Sequence, residues 1–111
     1  MKPLEGIRIL TVEHFGAGPY GTMFLAGLGA EVIKVENAAT GGDASRHVGP
    51  RFLGEDDSEY FQCLNLWKKS VSLDLTKDRK AFEALVADAD AVVNNLRGDV
   101  PAKLRIRYDD L

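Results

Sequence analysis

Disulfides, membrane spans and a basic surplus are all missing from this sequence. Cys63 is the only cysteine among 111 residues, so no intramolecular disulfide can form and nothing points to an oxidising compartment. His14 and His47 are both distant from it in sequence, so Cys63 reads as a reduced, partly buried thiol. The N-terminus MKPLEGIRIL lacks the apolar core of a signal peptide. The longest uncharged stretch, Ala17 to Ala30, falls short of the roughly 20 residues a bilayer span needs. These absences predict a cytoplasmic protein with no membrane partner. Lys and Arg total 14 against 17 Asp and Glu, a formal net charge of −3. That balance argues against nucleic acid as a partner, and no metal is expected.

What is present suits one folded domain. Apolar residues make up 45% of the chain and charged residues 28%, the composition of a globular protein with a core. Gly6 to Val12 reads as a buried strand, apolar and rich in branched residues. A helix is predicted from about Pro19 to Leu28, with Pro19 in its first turn and Gly29 as its left-handed cap. Glu31 to Val35 is a second strand, and the three elements make a βαβ unit with parallel strands. From about 37 to 69 periodicity fades, apart from a helical turn around Ser58 to Cys63. A connection of that length is either functional or poorly ordered. Ser70 to Leu75 alternates as a half-exposed strand. Thr76 is placed to cap a helix whose Phe82, Leu85, Val86 and Ala89 share one face. Ala91 to Val93 is a short strand, and Asp99 and Pro101 open a last helix. The fold class is α/β, a Rossmann-like parallel sheet with flanking helices.

The first helix carries no charge from Ala17 to Ala30. A helix apolar all round is normally covered on every side, and four strands with two or three helices are too few to do it. The expectation is a partner chain or more of this one; by itself the chain is expected to self-associate through this helix as a homo-oligomer.

Gly16-Ala17-Gly18-Pro19-Tyr20-Gly21 matches the dinucleotide pattern G-x-G-x-x-G. It follows a strand, opens a helix, and has Glu36 about 20 residues on, where a ribose-binding acid belongs. NAD(P) binding and a purely structural turn are both compatible with it. Pro19 removes one N–H that could meet phosphate, and Glu13-His14-Phe15 lengthens the approach to the first glycine.

Longer stretches carry more information. PLEGIRIL, AGPYGTMFLAGLGAEVIKVE, GGDASR, SEYFQCLNLWKKSVSLDL and ADAVVNNLR follow one another at fitting distances. Together they resemble the opening of the class III CoA transferases, a family similar in sequence to α-methylacyl-CoA racemase. The resemblance runs from Pro3 to Leu111. It implies a Rossmann-like core that binds coenzyme A in place of NAD. Gly16 and Ala17 match the loop that lies along CoA in that family. Leu73, Asp74, Leu75 and Thr76 match a run lining the nucleotide end. Asn95, Leu96 and Arg97 match a CoA-contacting segment, and Lys103 matches a basic residue facing phosphate. Asn37 stands where several relatives carry a basic residue. The family's catalytic aspartate lies beyond position 111, so the resemblance assigns no catalytic residue here. That carboxylate accepts the acyl group as a mixed anhydride and then yields an enzyme–CoA thioester.

The charges agree with such a ligand. Phosphates want cations and backbone N–H groups, and Lys68, Lys69, Arg97, Lys103, Arg105 and Arg107 form two basic clusters. Solvated surface charge is the alternative for each. The reading is an N-terminal, CoA-binding portion of an enzyme that transfers CoA between carboxylic acids or racemises an acyl-CoA. A non-catalytic acyl-CoA- or nucleotide-binding module, or one subunit of a split protein, is the alternative. An NAD(P)-binding fragment comes third.

Overall fold

Four apolar runs become the strands of one parallel sheet. In the computed structural model, which describes residues 1–111, they are β1 (Arg8–Val12), β2 (Glu31–Glu36), β5 (Lys69–Ser72) and β6 (Ala91–Asn94), in the order β5-β2-β1-β6. The registers set Ile9 beside both Val32 and Ala91, and Val35 beside Val71. From β1 the chain steps one way to β2 and β5, then crosses back to β6. The direction of winding therefore reverses between β1 and β6. Such a reversal opens a crevice at the carboxyl ends of the strands.

The period-two alternation of strands gives each face its own chemistry. Leu10, Val12 and Val35 meet Phe82 and Ile106 on one face, with Ile33, Val71 and Val92 packed around them. That face is covered by α3 (Arg79–Ala87) and by the segment around α4 (Val100–Leu104). Phe82, Leu85, Val86 and Ala89 pack there as the helical spacing predicts. On the other face Ile9 and Val32 meet Ala26 and Ala30 of α1 (Ala17–Gly27) and its exit.

α1 begins two residues before Pro19, so the proline occupies the third helical position, still within the turn whose N–H groups have no helical acceptor. It ends as Gly29 predicts. Gly29, at φ +107°, donates to the carbonyl of Ala26, and Ala30 donates to Leu25, closing the helix in a Schellman arrangement. Two local expectations are corrected. Thr76 does not cap α3; its N–H and hydroxyl both donate to Asp74 Oδ1, forming a turn that stops three residues short of the helix. Cys63 is exposed, because α2 (Glu59–Leu64) turns Phe61 inward and leaves the thiol outside, against the carbonyl of Tyr60.

The long connection is ordered. It carries 3₁₀ turns at Ala38–Thr40 and Ala44–His47, a hairpin of β3 (Phe52–Gly54) and β4 (Asp57–Ser58), and then α2. Ser58 caps α2 by accepting from Phe61 N, confirming the helical turn expected there. Apolar side chains remain uncovered on α1: Tyr20, Phe24 and Leu28 are about half exposed, and Trp67 lies against Gly27.

Candidate functional site

The crevice at the carboxyl ends of β1 and β6 is built by three loops. The first, His14-Phe15-Gly16, leaves β1 and enters α1. Asn95, just past β6, reaches across and clasps it: Asn95 Oδ1 accepts from His14 N at 2.9 Å, and Asn95 Nδ2 donates to His14 O at 2.9 Å. Gly18 is seated so closely that an added Cβ would lie 2.8 Å from Asn95 Cγ. Phe15 adopts φ +68°, a conformation unusual for an aromatic residue. Its N–H donates to Asp43 Oδ1 at 3.0 Å, from the second loop.

Asp43 belongs to a buried ionic cluster that no periodicity announces. Asp43 Oδ2 has Lys34 Nζ at 2.6 Å. Lys34 Nζ also meets Asn65 Oδ1 at 2.9 Å and lies 3.6 Å from Glu13. Lys68 Nζ binds Glu13 at 2.7 Å and shares Asn65 Oδ1. Thr22 donates its hydroxyl to Glu13. Nearby, Arg46 and Glu36 pair through two bonds of 2.8 Å, and Asp43 N also donates to Glu36. Glu13, Lys34 and Asp43 are no more than 1% exposed. Burial pushes the carboxyls of Glu36 and Asp43 up, yet their partners outweigh it. Arg46, Ser70 and the Asp43 N–H hold Glu36 at about 2, and Lys34 with the Ser45 and Phe15 N–H groups hold Asp43 at about 2. Lys68 is lowered by burial, opposed by Glu13.

The third loop follows β5. Leu73, Asp74, Leu75 and Thr76 line a cavity of about 170 Å³ together with Val12, His14, Val35, Asn37 and Leu104. The Thr76 hydroxyl and N–H lower the pKa of Asp74, which keeps an anion at the mouth of that cavity. His14, two residues before Gly16, lines it as well. Lys103 neighbours the cavity residue Leu104 on α4, paired with Asp99 at 2.8 Å. Arg97 is exposed, and its guanidinium makes no hydrogen bond or ion pair. The Leu96 side chain packs on the apolar cluster, and its N–H donates to Asn94 Oδ1 at 3.3 Å. The Asn95 side chain is committed to His14.

The basic clusters read from the sequence are half dissolved. Lys68 is buried among acceptors, and Lys69 pairs with Glu31 at 2.7 Å toward the opposite end of the sheet. Arg107 pairs with Asp110, whereas the Arg105 guanidinium, like that of Arg97, makes no bond. Glu36, the acid that a dinucleotide ribose would need, has both oxygens engaged. The dinucleotide pattern thus lacks its acceptor.

The model of the CoA-transferase family III matches residues 4–111. The chain belongs to that family. It is 42% identical to a succinyl-CoA:mesaconate CoA-transferase from Haloarcula hispanica, covering all of this chain and 29% of that protein. It is also 42% identical to the succinyl-CoA:glutarate CoA-transferase of Mus musculus, covering all of this chain and 26% of that one. Among solved structures, a CAIB/BAIF family protein from Brucella suis superposes with a TM-score of 0.86 at 33% identity, over 98% of this chain and 30% of that one. A hypothetical protein from Mycobacterium tuberculosis gives 0.84 at 38% identity, over 99% and 30%. This family chain therefore spans less than a third of the length of these relatives. No helix in it is long and apolar enough to cross a membrane.

Sequence reasoning missed the ionic cluster and the double clasp of His14. A signal existed for the first, since Lys34 is a lone cation inside the apolar run Val32-Ile33-Lys34-Val35. The clasp left none, because a backbone acceptor has no signature in side-chain identity.

Proposed function

We propose that this chain forms part of a coenzyme A site in an enzyme that moves CoA between carboxylic acids. The observation that carries the reading is the crevice at the β1–β6 reversal. There Asn95 clasps the loop that leads to Gly16 and Ala17, and His14 of that loop also lines the cavity formed by 73–76. A parallel sheet binds nucleotides in such a crevice. Gly16 and Ala17 would lie along the pantetheine and pyrophosphate. Leu73, Leu75 and the backbone of Asp74 and Thr76 would line the nucleotide end. Arg97 and Lys103 would face phosphate, and the backbone of Asn95 and Leu96 would border the crevice. Arg97 suits this role because its charge is uncommitted, while Lys103 has only an exposed partner to exchange. CoA enters as substrate. The family relationship favours transfer over racemisation, and the nucleophilic aspartate expected for transfer lies outside residues 1–111. The stripe Tyr20, Phe24 and Leu28 supports self-association with a second copy, which light scattering across concentrations would detect and a strictly monomeric sample would refute.

Calorimetry with CoA, dephospho-CoA, NAD and NADP tests the ligand. CoA is expected to bind, dephospho-CoA to bind more weakly for want of its 3′-phosphate, and NAD to give no heat. Lys103→Ala should weaken CoA binding about tenfold, and less as salt rises. Preference for NAD, with no response to CoA, would overturn the proposal.

A further inference from the structure

We infer that Asn95 and Asp43 are positioning residues that hold the loop between β1 and α1 in the shape its ligand meets; the inference rests on the CoA reading above. Phe15 is the strained member of that loop, at φ +68°. Phenylalanine gains nothing from this conformation, so neighbours must impose it. Two do, from opposite sides. Asp43 takes the N–H of Phe15 at 3.0 Å, and Asn95 takes both the N–H and the carbonyl of His14 at 2.9 Å each. Three backbone polar groups in succession are thereby spent on side chains from distant parts of the chain. The spending fixes where Gly16 and Ala17 stand. Gly18 adds a steric lock, since only the lack of a Cβ lets Asn95 come so near. Asp43 can serve because Lys34 and the N–H of Ser45 hold its carboxylate in place.

Asn95 therefore shapes the site through His14, on which both ends of its side-chain amide are engaged. It is exposed, so replacing it should spare the fold. The experiment compares the chain with Asn95→Ala and Asp43→Asn, each with and without Phe15→Asn. Asparagine tolerates the left-handed region better than phenylalanine does. Amide exchange at His14 and Phe15, and the HN–Hα coupling of Phe15, report the loop directly. Calorimetry reports CoA. In Asn95→Ala the His14 amide should exchange faster and CoA should bind about tenfold more weakly, the cost of two lost hydrogen bonds. Phe15→Asn should recover part of that loss. If Asp43→Asn fails to fold, Asn95→Ala decides alone. Unchanged exchange and coupling would overturn the inference, as would a loosened loop with unchanged CoA affinity or with no recovery by Phe15→Asn. A loop that loosens in a chain that never bound CoA would instead refute the CoA reading and leave the positioning role standing.

Discussion

The α3 face of the sheet and the strand ends on its other side, where the long connection docks, solve the same burial problem by opposite means. Beneath α3, Leu10, Val12, Val35, Phe82 and Ile106 make a core with no charge in it. Under the long connection, Glu13, Lys34 and Asp43 are as deeply buried as any leucine, and each is paired. An apolar contact tolerates small displacements, and its free energy follows area. An ionic cluster rewards one geometry and penalises the rest. The α3 face can therefore be built by hydrophobic pattern alone. The strand ends fasten a stretch of about thirty irregular residues that has little pattern to offer, and they do so at few points with strict partners.

Four measurements would break or sharpen this contrast. The largest effect is expected from Lys34→Met, which strands the carboxylate of Asp43 and weakens the setting of Glu13. Chemical denaturation should show a loss of about 5 kcal/mol, the upper range for an uncompensated buried charge. A loss under 1 kcal/mol would mean that water relieves the site. Phe82→Ala, the counterpart on the apolar face, should cost about 3–4 kcal/mol through lost transfer and an unfilled cavity. It should leave the pH dependence of stability unchanged.

Acid should act on the ionic side before the α3 face. Glu36 and Asp43 have pKa values of about 2 in the folded protein, below their ordinary 4.5 and 3.8. Carboxyls lowered by folding contribute stability that is present above the ordinary values and is lost as pH falls toward 2. Trp67, the only tryptophan, sits on the ionic side, close to Lys68 in sequence and against α1. Its fluorescence should change between about pH 4.5 and 2, ahead of the far-ultraviolet circular dichroism. Coincident transitions would show that the two regions do not melt separately. The smallest effect belongs to Thr22→Val, which deletes the hydroxyl that donates to Glu13 and keeps the shape. A loss of about 2 kcal/mol is expected, typical of a hydrogen bond to a charged group, read from the denaturant midpoint.

The contrast also explains what could be read from sequence. The α3 face was legible because Phe82, Leu85, Val86 and Ala89 recur at helical spacing and Val92 falls in an apolar run. The parallel pairing of β1 and β2 followed from the short connections of the βαβ unit, whereas the order of all four strands came only with the structure. Gly16 and Asn95 to Arg97 were singled out as CoA contacts through the family resemblance alone, and only the structure shows Asn95 bonded to His14, two residues before Gly16. Lys68 was misread because, beside Lys69, it looks like a basic cluster suited to phosphate or to solvent. Only the tertiary structure shows Glu13 waiting for it across 55 residues. Thr76 was misread because Asp74, two residues earlier, accepts from its N–H and hydroxyl and ties it into a turn ahead of the helix. The order in the 37–69 connection was hidden for a related reason. Its anchors are single polar side chains, and polar side chains in a loop look alike whether they are buried or solvated.

The buried ions also bear on how this region can change over generations. Glu13 and Asp43 against Lys34 and Lys68, with Glu36 against Arg46, make six charges that sum to zero. Removing any of the four innermost, Glu13, Lys34, Asp43 or Lys68, leaves a surplus in a site closed to water, at a cost of several kcal/mol. Domains of this kind have only about 5–15 kcal/mol of stability in total. Single steps away from the arrangement thus remove a large share of the margin, whereas a matched pair of changes removes far less. The four innermost positions should drift as a unit, through compensated double replacements. The exposed pair Arg51 and Glu59 is under no such tie and can vary one residue at a time.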